Sequence, residues 1–188
     1  MSNIIDDTGK QLATRISSER KRRSWSLADL AARSGVSKAM LSKIERREVS
    51  PTASVLLRIA AAFEVTLAEL LTDAPEEARC RRAADQPVWK DPATDYLRRQ
   101  IYLTARLPLE LVEVVLPAGA DVSIPASSYV FIRQVVWVIE GSLTIVEGDS
   151  ETKLGPGDRL EFGPPSDCAF HNESRKPCRY LVALIRQR

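Results

Sequence analysis

The sequence predicts a two-part fold, all-α followed by all-β, and three observations predict it. From Thr8 to Leu71, apolar residues recur at three- and four-residue spacings and Pro51 is the one internal proline, which is a helical period. Beyond Leu103 the apolar residues gather into short or alternating runs, such as Leu111 to Leu116, Val130 to Ile139, Leu143 to Val146 and Tyr180 to Ile185. Clusters of Gly and Pro separate them (Pro117-Ala-Gly119, Gly155-Pro-Gly157, Gly163-Pro-Pro165), the texture of an antiparallel sheet. Charge divides in the same place: Thr8 to Arg58 carries twelve Lys/Arg against four Asp/Glu, and the rest of the chain fifteen against twenty-one. A net charge of +2 alone points to no polyanionic partner, but a basic block joined to an acidic one suggests a nucleic-acid contact confined to the N-terminal part.

At 188 residues the chain has room for two small domains. The pattern places a helical domain at 8–72, a linker rich in Ala, Pro and charge at 73–102 with some helix around Glu76 to Ala84, and a β domain at 103–188. Apolar stretches such as Val135 to Ile139 are far short of the roughly 20 residues that span a bilayer, so no membrane is expected. Met1 to Lys10 contains Asp6 and Asp7 and no signal-like apolar run. Three cysteines, Cys80, Cys168 and Cys178, fit neither a disulfide framework nor a zinc pattern, so reduced thiols in a cytoplasm are expected.

Capping residues set the helix starts, because their side chains accept hydrogen bonds from the free N–H groups of a first turn. Ser26 with Asp29 and Thr66 with Glu69 have capping-box spacing, Ser37 precedes Lys38-Ala-Met-Leu, and Ser50 precedes Pro51, a residue favoured at a first helical position. Five helices follow, at about 8–23, 27–34, 38–46, 52–63 and 67–72. The second and third are the informative pair. Leu27, Leu30 and Ala31 face inward on one, Leu41 and Ile44 on the other, with Gly35 supplying the tight turn and Val36 plugging the angle. This is a helix-turn-helix, whose second helix presents its N-terminal residues to base edges in a major groove. A basic bundle used for protein contacts, with Lys38 and Lys43 on a solvated face, is the alternative. The run Arg20-Lys-Arg-Arg23 reads equally as an exposed helix end or as a phosphate grip.

Val36-Ser-Lys-Ala-Met-Leu-Ser-Lys-Ile-Glu-Arg, with Ser50-Pro-Thr, Leu57-Arg-Ile-Ala and Leu67-Ala-Glu-Leu-Leu, resembles the Xre (phage-repressor) family over residues 8–72. The resemblance implies a five-helix, lambda-repressor-like domain that binds double-stranded DNA at a palindromic operator as a homodimer. It puts Lys38, Ala39 and Lys43 at base-reading positions and Ser26, Ser37, Ser42 and Arg46 at phosphate-binding ones. It also pairs Arg20 with Glu45, joining the first helix to the third. Arg47 departs from the family, which has glycine there to end the recognition helix. Either the turn differs, or a charge on the phosphate backbone offsets a strain of about 1 kcal/mol.

In the second half, Val135-Val-Trp-Val-Ile-Glu-Gly-Ser-Leu-Thr-Ile, Leu154-Gly-Pro-Gly-Asp-Arg-Leu-Glu-Phe and Cys168-Ala-Phe-His-Asn resemble the cupin family over residues 105–185. This implies a double-stranded β-helix, or jelly-roll barrel, with Gly141, Gly157-Asp158 and Asn172 as turn and end markers. An Xre domain followed by a cupin is itself a common regulator layout. Metal-binding cupins use histidines and a glutamate, donors that suit divalent transition metals. Alignment on Gly141 puts Gln134 at the glutamate position, the His-x-His pair would fall near Ser127 to Val130 where there is no histidine, and Cys168 takes the last ligand position. The one histidine, His171, lies three residues beyond Cys168 and on an alternating strand faces the other way.

The expectation is therefore a barrel without metal or other cofactor, no enzyme, and a pocket for a small-molecule effector lined by Tyr129, Gln134, Cys168 and Phe170. If Gln134 points inward, so do Ile132, Val136 and Val138, leaving Arg133, Val135, Trp137 and Ile139 to pack elsewhere, a second barrel being the natural candidate. The alternatives are a cupin-type enzyme tethered to a DNA-binding domain, and a DNA-binding partner of another protein docked on the Trp137 face. Repression, with effector binding shifting DNA affinity, is what the family layout implies.

Overall fold

A computed structural model describes residues 4–72, 79–104 and 106–186. Two compact units, Met1–Ala74 and Pro75–Arg188, divide the chain.

The first unit has five helices: α1 Ile4–Arg22, α2 Leu27–Ser34, α3 Lys38–Glu45, α4 Ala53–Phe63 and α5 Leu67–Leu71. Each of α2 to α5 begins at a hydroxyl cap. The two capping boxes form as their spacing predicts: Ser26 Oγ accepts from Asp29 N–H at 3.1 Å while Ser26 N–H donates to Asp29 Oδ2 at 2.7 Å, and Thr66 and Glu69 repeat the exchange. The start of α4 differs from expectation. Thr52, whose Oγ1 accepts from Val55 N–H, is the cap, and the buried Pro51 lies one residue outside the helix. Leu12, Ile16, Leu30, Leu41, Ile44, Leu56, Ile59 and Phe63 fill the core, each 4% exposed or less. Burial of these side chains against one another, at roughly 1.5–3 kcal/mol each, is what holds helices this short.

The second unit has ten strands: β1 Val88–Lys90, β2 Leu97–Leu103, β3 Leu109–Leu116, β4 Asp121–Ile124, β5 Ile132–Glu140, β6 Leu143–Glu147, β7 Ser150–Leu154, β8 Arg159–Glu161, β9 Cys168–His171 and β10 Cys178–Arg186. They form a six-stranded sheet in the order β1-β2-β3-β10-β5-β8 and a four-stranded sheet in the order β4-β9-β6-β7. Without β1 and β2, this is the interleaved strand order of a double-stranded β-helix. Alternation on β5 and β10 is strict: Ile132, Gln134, Val136 and Val138 are buried, as are Cys178, Tyr180, Val182 and Leu184.

The expected markers sit at the chain reversals. At Gly141 φ is 88°, and an added Cβ would lie 2.8 Å from both Cys178 Cα and the Pro177 carbonyl oxygen, so only glycine fits between the adjoining strands. Buried Asn172 donates its side-chain amide to the carbonyls of Leu116, Pro117 and Lys176, tying the ends of β3 and β9 together.

The stretch assigned to a linker needs correction. Residues 88–103 contain β1 and β2, which extend the larger sheet, and an Asp91-based turn in which Thr94 N–H and Oγ1 both donate to Asp91 Oδ2 reverses the chain between them. Composition hid these strands, because β2 carries Arg98 and a buried Gln100 where an alternating apolar pattern would have flagged it. Of the helix expected around Glu76 to Ala84, residues 76–78 lie outside the described residues, and the rest shows only a single 3-10 turn, Ala83–Asp85.

Candidate nucleic-acid interface and barrel mouth

The helix-turn-helix is built around Ser34, a residue that spacing alone did not single out. Its Oγ donates to the Leu30 carbonyl at 2.7 Å and accepts from Val36 N–H at 3.2 Å, so one buried hydroxyl ends α2 and sets the residue that plugs the turn. Gly35 takes the left-handed conformation, φ 66°, and its N–H closes on the Ala31 carbonyl at 2.9 Å. Val36 is buried, and Ser37 Oγ caps α3 by accepting from Met40 N–H. With Leu41 and Ile44 buried, α3 leaves Lys38, Ala39, Met40 and Lys43 exposed on one side. These include all three expected base-reading positions.

The expected phosphate-binding residues divide. Ser26 and Ser37 are exposed, and their hydroxyls are engaged as helix caps. Ser42 is half-buried and accepts from the Arg46 guanidinium, whose Nε donates to Glu48 Oε1 at 2.6 Å. That contact holds the Glu48 carboxyl below the usual carboxylate range and raises the Arg46 pKa. Arg46 is thus shared with an acidic neighbour. Arg47 instead adopts φ 64°, with the helix end closed by Arg47 N–H to the Ile44 carbonyl and Glu48 N–H to the Lys43 carbonyl, each 2.9 Å. The glycine-type turn is therefore retained with an arginine in it.

The basic run at the end of α1 resolves toward structure. Arg20 makes the expected two-pronged contact with Glu45, 2.7 and 2.8 Å, and also donates to the Trp25 carbonyl at 2.8 Å. The hydrogen bond to Glu45 raises the Arg20 pKa. Arg23 donates to Glu19 and, at 2.6 Å, to the Phe63 carbonyl at the end of α4, with its guanidinium over the Phe63 ring. Burial works to raise the Glu19 pKa, but hydrogen bonds from Arg22 and Arg23 prevail and lower it.

In the barrel, Tyr129, Gln134 and Cys168 meet at the rim of a narrow open cleft whose accessible interior is about 10 Å³, room for about one water molecule. The Tyr129 hydroxyl is buried beside the Cys168 thiol and the Gln134 amide, neither of which makes a hydrogen bond of full geometry to it. Burial pushes its pKa well up, so it remains a proton donor. The Cys168 thiol donates to the Ser166 carbonyl at 3.3 Å, and burial raises its pKa too, which disfavours thiolate chemistry. Phe170 must be moved from the expected set. It is buried beneath the cleft in a stacked series Tyr129, Phe162, Phe170, Tyr180, with centroids 5.8, 5.9 and 6.1 Å apart, because its strand position points it into the closed part of the barrel. Phe162, Pro164, Pro165, Arg133 and Glu147 also line the cleft. Sequence reading missed these, although Gly163-Pro-Pro165 marked a rigid loop.

Metal ligation does not fit the donors at the cupin ligand positions. Gln134 and Cys168 supply one weak and one thiol donor, His171 faces the other side of β9 beside Asp121, and among the described residues no group of three or more His, Cys, Asp or Glu side chains converges. On the outer face of the six-stranded sheet, Leu97, Trp137 and Ile185 are exposed by 36%, 47% and 46%. Ion pairs from Arg99 and Arg179 to Glu113 cross the same face.

A helix-turn-helix family profile matches residues 16–70. Over 175 residues, 89% of this chain and 90% of the relative, the sequence is 30% identical to the HTH-type transcriptional regulator SutR of Escherichia coli K12. It is 48% identical over 52 residues to the HTH-type transcriptional regulator SlrR of Bacillus subtilis, a match covering 27% of this chain and 34% of that protein. Among solved structures, an HTH_3 family transcriptional regulator from Vibrio cholerae superposes over the whole of both chains with a TM-score of 0.82 at 21% identity.

Proposed function

The chain belongs to the HTH_3 (Xre-type) family of transcriptional regulators, and from that premise we propose that it is a repressor that binds a palindromic operator as a homodimer and responds to a small molecule held at the barrel mouth. The observation that carries the DNA part is the side of α3 that bears Lys38, Ala39 and Lys43 in solvent, prearranged by the Ser34 and Gly35 turn. Lysine donors match guanine O6 and N7, and an alanine methyl matches the thymine methyl, in a groove about 12 Å wide. Lys38→Ala combined with Lys43→Ala is expected to abolish footprint protection of the operator while circular dichroism stays unchanged. Protection surviving in that variant would remove the recognition-helix assignment.

Support for an effector comes from the orphaned Tyr129 hydroxyl facing Gln134. A buried donor without a partner costs about 1–3 kcal/mol, which an acceptor atom on a bound molecule would recover. The occupant in this reading is a small molecule that reaches the hydroxyl from the cleft mouth with a carbonyl or similar acceptor, beside the Phe162 ring, and displaces water from it. A thermal-shift screen of such compounds should yield hits that Tyr129→Phe and Gln134→Leu lose; hits unaffected by both would place the site elsewhere. Ligand binding that prefers one dimer arrangement would then alter DNA affinity.

The barrel is read as a sensor and not an enzyme, since the residues at the ligand positions suit hydrogen bonding better than metal chemistry. Metal analysis of protein purified without added metal tests this, a stoichiometric transition metal favouring a tethered cupin enzyme. In this reading the second copy packs on the outer sheet face around the exposed Trp137. Dimerisation through the barrels would bring two copies of α3 to one operator, and half-sites of a helix-turn-helix dimer lie about one DNA turn apart.

A further inference from the structure

We infer that Arg47 is a DNA-phosphate ligand, and that the chain keeps a strained backbone at the end of α3 in order to hold a cation there. The inference rests on the reading of α3 as the helix that enters the major groove. Arg47 stands at φ 64° in a turn whose closing hydrogen bonds are those of a glycine-ended helix. Three other non-glycine residues among those described have positive φ. Ser24 and Asp95 carry short polar side chains, and Asp95 is paired with Lys90. Glu64 has an interaction partner within the molecule. Arg47 differs: its side chain is exposed and, among the described residues, makes no hydrogen bond, ion pair or ring contact. The backbone bonds that close the helix would form equally well around a glycine, and no side-chain contact within the fold offsets the added cost of a Cβ there; strain of this kind is retained where function requires it.

The length of the helix says what the cation would meet. The eight residues of α3 span about 12 Å, close to the width of the major groove. With Lys38 at the base edges, the turn after Glu45 emerges at the lip of the groove, where the phosphodiester backbone runs. Arg46, the residue implied by resemblance, is already held by Glu48 and Ser42. Arg47 has its guanidinium, with five N–H donors in a fixed fork, available for phosphate.

The test uses the full-length chain, a duplex that the wild type selects from a random-sequence pool, and a mixed-sequence duplex beside it. Arg47→Gly is expected to weaken both complexes by the same factor, about tenfold, and to lower the slope of log affinity against log salt by about 1. Its unfolding midpoint, followed by helical circular dichroism, should rise by about 4 °C as the strain is relieved. Arg47→Lys should retain the salt slope. An Arg47→Gly chain with wild-type affinities and salt slope overturns the assignment, whatever its midpoint does. Lys38→Ala distinguishes that failure from failure of the underlying reading: it should lose preference for the selected duplex, and if the preference survives, groove entry by α3 and the Arg47 assignment fall together.

Discussion

Two buried polar side chains show how one amino acid serves the fold and another is held ready for something outside it. Glu19 is 7% exposed and accepts hydrogen bonds from Arg22 and Arg23, which hold its pKa below the ordinary 4.5. A carboxylate lowered in the folded state contributes stability that is fully present above its unfolded pKa and is lost as pH falls through the folded one. Urea titrations of the wild type should therefore show the helical unit weakening below about pH 4.5, and Glu19→Gln should flatten that acid limb while lowering stability at neutral pH. Tyr129 is the opposite case, a hydroxyl buried without a partner. Tyr129→Phe removes the unsatisfied group and keeps the ring stacked on Phe162, so the ligand-free barrel should gain about 1 kcal/mol in denaturant unfolding. A loss of stability would mean that the hydroxyl has a partner in solution.

Turns and strands impose their own constraints, and two glycines separate conformation from crowding. Gly119 and Gly141 both have positive φ, but a Cβ on Gly119 would meet no atom within 4 Å, whereas on Gly141 it would strike the β10 backbone at 2.8 Å. Gly119→Ala should cost only the left-handed penalty of about 1 kcal/mol. Gly141→Ala adds a steric clash between strands and should cost about 3 kcal/mol or more, measured by chemical unfolding under Trp fluorescence. Equal effects would show that the loop after β5 yields. Helices α2 to α5 are more forgiving, because each start has its own hydroxyl cap worth about 1 kcal/mol.

For the molecule as a whole, the uneven charge and the exposed sheet face make linked predictions. Trp137→Glu places a charge on the outer face of the larger sheet. Sedimentation should then show monomers, and affinity for a two-half-site operator should fall far more than affinity for a single half-site. A Trp137→Glu chain that stays dimeric would move the interface elsewhere. Much of this organisation was legible in the sequence. Short-range rules determined the helices, the caps Ser26, Ser37 and Thr66, the Gly35 turn, the exposed α3 residues and the inward side of β5, because each depends on a period or on a side chain reaching its own backbone. What only the tertiary structure decided depends on contacts between residues distant in the chain. Pairing with β3 makes a strand of residues 97–103, where Arg98, Arg99 and Gln100 interrupt any alternating pattern, a bond to the Phe63 carbonyl turns Arg23 into an internal tie, and enclosure by the barrel buries Phe170. Local pattern records which way a side chain points, but partners and burial are set by what the folded chain brings opposite it.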